Sequence, residues 1–174
     1  MTFLSRYTGI FLLLTLSLAP LLAGAQYCSP PLKDVDSRYI VNAGIVKDSR
    51  TGLTWMRCAL GQQWQSPDCV PLYDEFSWVE ARMTVAQFNR EGGAYSFSDW
   101  RLPTLDELLT IVEPRCDSPA LDVRVFPRAP ITGYWTATPD PDYADGAMLV
   151  HFYNGRGYMG NRSQDWAVRL VRAP

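Results

Sequence analysis

The chain of 174 residues holds one histidine, His151, and four cysteines, none of them beyond Cys116. One histidine cannot supply the ligand sets of common zinc and non-haem iron centres, and no Cys-x-x-Cys spacing occurs to build a cysteine-based zinc module. Charge of one sign is also missing: 16 Lys and Arg stand against 18 Asp and Glu, with a pI near 5.3. That balance argues against nucleic acid, which calls for a strongly basic face. Beyond residue 25 no apolar run approaches the roughly 20 residues needed to span a bilayer. Repeats and low-complexity tracts are absent, and 47% hydrophobic with 20% charged residues sets aside disordered, collagen-like and coiled-coil classes. What remains suits one globular core at a length too short for two ordinary domains.

The apolar material is concentrated first in a leader. Residues 1–7 carry Arg6 and no acid, residues 9–22 are apolar apart from Thr15 and Ser17, and Ala23-Gly24-Ala25 follows as a small-residue cleavage signal. The expectation is a signal peptide over 1–25 and a single domain over 26–174, starting at Gln26 after export to the periplasm or the cell exterior. The run is interrupted by Pro20, which favours cleavage over anchoring. Gln26-Tyr27 ahead of Cys28 places bulky residues where lipid attachment wants small ones, so no membrane insertion is expected after cleavage. All four cysteines lie in the exported part, where disulfides form. Cys58 and Cys69 flank a short polar stretch that closes at low entropic cost, leaving Cys28 to pair with Cys116.

Along the domain, Ile45-Val46-Lys47-Asp48 and Leu53-Thr54-Trp55-Met56 read as strands around a turn containing Gly52. Ser77 with Glu80, and Thr104 with Glu107, have the spacing of capping boxes that open helices. Trp78, Ala81, Val85 and Phe88 mark the buried stripe of the first helix, which ends at Gly92-Gly93. Leu105, Leu108, Leu109 and Val112 mark the stripe of the second, which stops before Pro114. Short strands are expected over 133–138, 147–153 and 167–172, with a turn at Asn154-Gly155. Strands at both ends around two central helices predict an α+β domain whose termini pair in one sheet.

The stretch Asp99-Trp100-Arg101-Leu102-Pro103-Thr104-Leu105-Asp106-Glu107-Leu108 puts Arg101 within reach of a carboxylate just ahead of the second helix. It resembles the Arg-Leu-Pro-Thr start of a helix in formylglycine-generating-enzyme-like domains, a branch of the C-type-lectin-like fold. Further motifs are Thr51-Gly52-Leu53-Thr54-Trp55-Met56-Arg57-Cys58 upstream, Tyr134-Trp135-Thr136, and Val168-Arg169-Leu170-Val171-Arg172 at the end. With these the chain is more similar to a bacterial domain family of largely unknown function, named after the C-terminal domain of a Legionella collagen-like adhesin. The resemblance covers residues 45–172. It implies a C-type-lectin-like fold with long loops and an adhesin-like role, although one fold hosts many activities.

The enzymes of that wider fold are not matched. A copper-binding thiol pair near the C-terminus and a three-histidine iron site are both missing, and no nucleophile elbow occurs. No catalytic residue, metal site or cofactor is therefore expected, and His151 reads as an ordinary strand residue beside Val150 and Phe152. Asp140, Asp142, Asp145 and Gly146 gather oxygens that suit calcium, but they miss the EF-hand spacing and the sugar-binding lectin motifs, and read as a solvated turn.

The expected ligand-binding face lies over residues 151–166. From residue 151 onward Arg156, Arg162, Arg169 and Arg172 stand against the single acid Asp165, a net +3. Tyr153, Arg156, Tyr158, Asn161, Arg162 and Trp166 alternate there with glycines, a composition read as aromatic surfaces on a flexible polar loop. Aromatic faces stack on sugar rings and arginines pair with acidic groups. The function expected is a non-catalytic binding module for a glycan, an anionic one first, or for a surface protein in adhesion. The alternative is a structural or accessory subunit of an envelope or surface assembly.

Overall fold

The computed structural model describes residues 26–70 and 72–174; the leader expected over 1–25 lies outside the described residues. The chain opens with Tyr27–Cys28 (β1) and then Tyr39–Asn42 (β2) and Ile45–Asp48 (β3), which pair antiparallel. The backbone reverses at Gly52, whose φ of 77° suits glycine, into Thr54–Met56 (β4) against β3. A ribbon of Gln63–Gln65 (β5) and Asp68–Val70 (β6) follows. Then come helices Trp78–Arg90 (α1) and Leu105–Leu109 (α2), and Cys116–Asp117 (β7) beside β1. The last strands are Gly133–Pro139 (β8), Gly146–His151 (β9), Arg156–Asn161 (β10) and Val171–Arg172 (β11). Two larger sheets result, with orders β11-β4-β3-β2 and β10-β9-β8. This is an α+β arrangement of small antiparallel sheets with two helices, and β11 brings the end of the chain back to its opening hairpin.

Both helices begin as their spacing predicts. Ser77 and Glu80 form a complete capping box, as do Thr104 and Glu107. Arg101 holds Glu107 in a two-pronged pair, with both N–H···O distances at 2.7 Å, so the cap carboxylate is shared between helix and arginine. Both expected disulfides are present. Cys28 and Cys116 are directly opposed across β1 and β7, and Cys58 reaches Cys69 on β6.

Three expectations need correction. The second helix is only five residues long, and Leu109 is exposed while Ile111 is buried in its place. Contracted backbone bonds from Ile111 to Leu108 and from Val112 to Leu109 tighten its end, which brings Ile111 onto the line of Leu108. The strand expected over 167–172 is regular only at β11. Residues 156–161, read as flexible loop, form β10 in register with β9 from Arg156↔His151 to Asn161↔Gly146.

The irregular part of the C-terminal stretch joins the sheets. Ala167 exchanges backbone hydrogen bonds with Gly133 and Trp135 of β8, while Val168 and Leu170 accept from Leu60 and Met56 on the other side. Its side chains alternate between two cores. Ala167 and Val171 enter a cluster with Trp55, Leu108, Phe126 and Tyr134. Val168 and Leu170 enter another with Trp78, Trp100, Trp135 and Leu149. Among the described residues no helix is long and apolar enough to cross a membrane.

The hydrogen bonds from Arg101, opposed by some desolvation, hold the Glu107 carboxyl below its ordinary value of 4.5. A carboxylate with a depressed folded value stabilises fully above its unfolded value, and that contribution is lost as pH falls through the folded one. Thr104→Ala should cost about 0.5–2 kcal/mol in denaturant titration through loss of the cap. Glu107→Gln should lower the melting temperature at neutral pH and flatten its decline in acid. An unchanged acid limb would show that the pair is not coupled to folding.

Candidate functional site

The β9–β10 hairpin carries the site. Its turn closes at Gly155, with φ of 70°, where a Cβ would stand 2.5 Å from Val112 Cγ1. The register sets Arg156 opposite His151 and Tyr158 opposite Leu149, and alternation places all four on one face of the sheet. On the other side of β9, Gly133 pairs with His151. A Cβ on Gly133 would stand 2.8 Å from Trp166 Cε3, so glycine here lets the indole lie against the strand beside His151.

Three aromatic rings therefore surround one imidazole. His151 lies 5.9 Å from Trp166, 6.3 Å from Tyr158 and 6.5 Å from Tyr153, each edge-on at 73–82°. They line a cavity of about 490 Å³ with Leu149 and Met159, completed by the amides of Asn154 and Gln164. None of its lining residues is an acid, a lysine or an arginine.

The polar groups are ordered by local bonds. The Tyr153 backbone N–H donates to His151 Nδ1 at 3.1 Å, which assigns the ring proton of the neutral imidazole to Nε2. Partial burial holds the His151 pKa below its ordinary 6.5, keeping the ring neutral at pH 7. Asn154 donates from Nδ2 to Tyr158 Oη at 2.8 Å and accepts the Arg156 N–H at 3.2 Å, tying the turn to the rim.

Of the six expected ligand residues, Tyr153, Tyr158 and Trp166 meet in this pocket. Arg156 stands at its edge, exposed and without a carboxylate partner among the described residues. Asn161 and Arg162 are at the other end of β10, about 17 Å away by strand rise. There Asn161 Oδ1 accepts from both the amide and hydroxyl of Ser163, and Arg162 donates from Nε to Gly146 O at 3.0 Å. The Arg162 guanidinium also lies 4.3 Å from the Trp78 ring centre, joining α1 to this sheet. His151, Asn154 and Gln164 were not singled out as ligand groups by sequence. The strand register, which sets His151 opposite Arg156, is the signal that finds the first.

Elsewhere, the acidic turn is occupied internally: Asp140 Oδ1 accepts the N–H groups of Asp142 and Tyr143. Among the described residues no group of His, Cys, Asp or Glu is arranged to hold a metal ion. A comparison with known protein families matches residues 44–172 to the Lcl C-terminal domain. A comparison with curated proteins finds no match.

Nitrogen-detected NMR of imidazole-labelled protein should show His151 as the Nε2–H tautomer titrating below 6.5. Because burial disfavours the cation, the stability contributed by the neutral ring is present above 6.5 and is lost as pH falls through the lower folded value. A midpoint above 6.5 would overturn this electrostatic account of the pocket.

Proposed function

Because the chain belongs to the family of the Lcl C-terminal domain, we propose that it is an exported, adhesion-related binding module without catalytic activity, and that the pocket around His151 takes a glycan. The observation that carries this reading is the convergence of three aromatic rings on an uncharged cavity at a hairpin end. Such rings bury the apolar faces of a sugar while their polar edges hydrogen-bond to its substituents. Arg156 at the rim supplies the cation for an acidic group, so anionic glycans are the first class to try. Two disulfides fit a non-cytoplasmic, oxidising compartment, and the periplasm or cell exterior is the location proposed from the leader. The same reading places the α+β fold in the C-type-lectin-like class, on the strength of the Arg101–Thr104 motif.

A structural or accessory role in a surface assembly is the second reading. It is favoured by Ile40 and Val41, which are exposed on β2, the outer strand of its sheet. An uncharged outer strand with exposed apolar side chains is open to pairing with another chain.

A glycan array probed with the protein and with Tyr158→Ala and Arg156→Ala at two salt concentrations separates the two. Tyr158→Ala should weaken retained glycans by about tenfold, and Arg156→Ala should remove the salt dependence of acidic ones, with melting temperatures kept. A blank array, together with capture of an envelope protein that survives Tyr158→Ala but not a charged replacement at Val41, would reject the glycan reading for the second.

A further inference from the structure

A demand for hydrogen bonds is left unmet in the core, away from the pocket. Arg169, 0% exposed, gives its Nη1 to the carbonyls of Met56 and Arg57, while its Nε and Nη2 are buried without a partner among the described residues. The Nε–H and one Nη2–H leave a guanidinium from the same edge in the same direction, so they form a fork for a single acceptor. The rings of Phe126 and Tyr134 lie beside the cation but bring no acceptor to this fork. In the cluster they belong to, Tyr134 Oη and Trp55 Nε1 are likewise buried without a hydrogen-bond partner. The Tyr134 hydroxyl is close enough to the guanidinium for Arg169 to oppose the burial that raises its pKa to about 12.

Charge, more than the number of free donors, decides what fills the fork. Arg38 also has buried nitrogens without hydrogen bonds, but Asp36 and Asp48 stand 3.5 Å from them and balance its charge. Arg169 has no such carboxylate among the described residues. Burial pushes its pKa down from 12.5, yet an arginine is not deprotonated in a protein, so a full cation sits in the core. Carbonyl dipoles and ring faces lower the cost of that charge without neutralising it, and a water in the fork would satisfy hydrogens and leave the charge. An anion does both. Arg169, Tyr134 and Trp55 are each 0% exposed, so the anion is enclosed as the chain folds, which favours a single ion over an organic acid or sulfate.

The geometry points to a chloride-binding site in the core, on the Nε–Nη2 edge of Arg169 with the Tyr134 hydroxyl as a further donor. The ion pairs with the buried guanidinium and accepts its two free in-plane hydrogens. Because Arg169 bonds to the end of β4 while Tyr134 stands on β8, the ion completes the joint between the two sheets, and folding is coupled to the halide concentration around the protein. The assignment is independent of what the pocket around His151 binds.

Two measurements on the exported protein test this. Crystals grown in sodium bromide should show an anomalous scatterer on the Nε–Nη2 edge of Arg169. Urea unfolding in mixtures of sodium chloride and sodium gluconate, at one total ionic strength, should show the folding equilibrium constant rising about tenfold for each tenfold rise in chloride once the site is filling, the dependence of one ion bound only by the folded chain. Arg169→Met removes the cation, keeps an apolar side chain and should abolish that dependence. Tyr134→Phe removes one donor, keeps the ring and should move its onset to several-fold higher chloride. If Arg169→Met does not fold, Tyr134→Phe carries the comparison. A water in the fork, or bromide at surface sites only, overturns the assignment. So does equal stability in chloride and gluconate, or a chloride dependence that is unchanged in the variant tested.

Discussion

The guanidinium of Arg169 is fully buried and, among the described residues, faces no carboxylate. One of its nitrogens donates to the carbonyls of Met56, at 3.0 Å, and Arg57, while its carbon lies 4.8 Å from the Phe126 ring centre and 5.5 Å from that of Tyr134. Burial pushes its pKa down from 12.5, and burial likewise raises the Tyr134 hydroxyl to about 12. Its Nε and Nη2 have no hydrogen-bond partner, so within the protein the Nη1–carbonyl bonds and the ring contacts are what offset the cost of burying this charge. Those contacts come from the end of β4, from the loop before β8 and from β8 itself. Their mutual placement, and therefore the joint between the two sheets, is tied to this one side chain.

A similar guanidinium contact recurs at Arg57, while Arg172 in β11 combines a carboxylate with a ring. Arg57 donates to the carbonyls of Ala43, Arg124 and Val125 and lies 4.1 Å from the Trp64 ring centre. Arg172 forks onto Asp99 and stacks on Phe97 at 3.9 Å. Long irregular connections leave backbone carbonyls without strand or helix partners, and a planar fork of five donors can satisfy several at once. A lysine ammonium is a point charge with no flat face to stack, so lysine would not replace arginine at these three positions. Arginine–carbonyl and arginine–ring contacts thus join segments that the sheets leave unconnected.

That pattern also sets what could be read from sequence. Capping boxes are legible because donor and acceptor sit three residues apart, and the Cys58–Cys69 bridge because its loop is short. Arg101 and Glu107 are likewise near neighbours. The strand β10 was not legible, since Arg-Gly-Tyr-Met-Gly-Asn shows no apolar alternation and its two glycines suggest flexibility. Their purpose is steric. A Cβ at Gly160 would stand 2.7 Å from Leu149 and 2.9 Å from Trp135, and one at Gly157 would stand 3.3 Å from Leu105. Glycine here lets a strand lie close over a crowded core, information carried by residues far away in sequence. The separation of Arg156 from Arg162 was hidden for the same reason: a loop can bring two arginines together, and an extended strand keeps them apart.

The pocket draws its floor and its rim from different parts of this scheme. Leu149 is buried in the core with Trp135, and Trp166 is seated against Gly133, so the floor is part of the packed core. Tyr153 and Tyr158 are exposed beyond the last paired residues or along the outer strand, and among the described residues Arg156 has no carboxylate to release. Substitutions at these three positions alter stacking area and charge at little cost to packing. His151 stands between the two sets, with its ring among the aromatics and its Nδ1 committed to the turn. It therefore couples the conformation of the hairpin end to the donor presented in the pocket, because any movement of the Tyr153 amide that frees Nδ1 also frees the proton on Nε2 to change sides. The turn, as well as the rings, belongs to the proposed recognition surface.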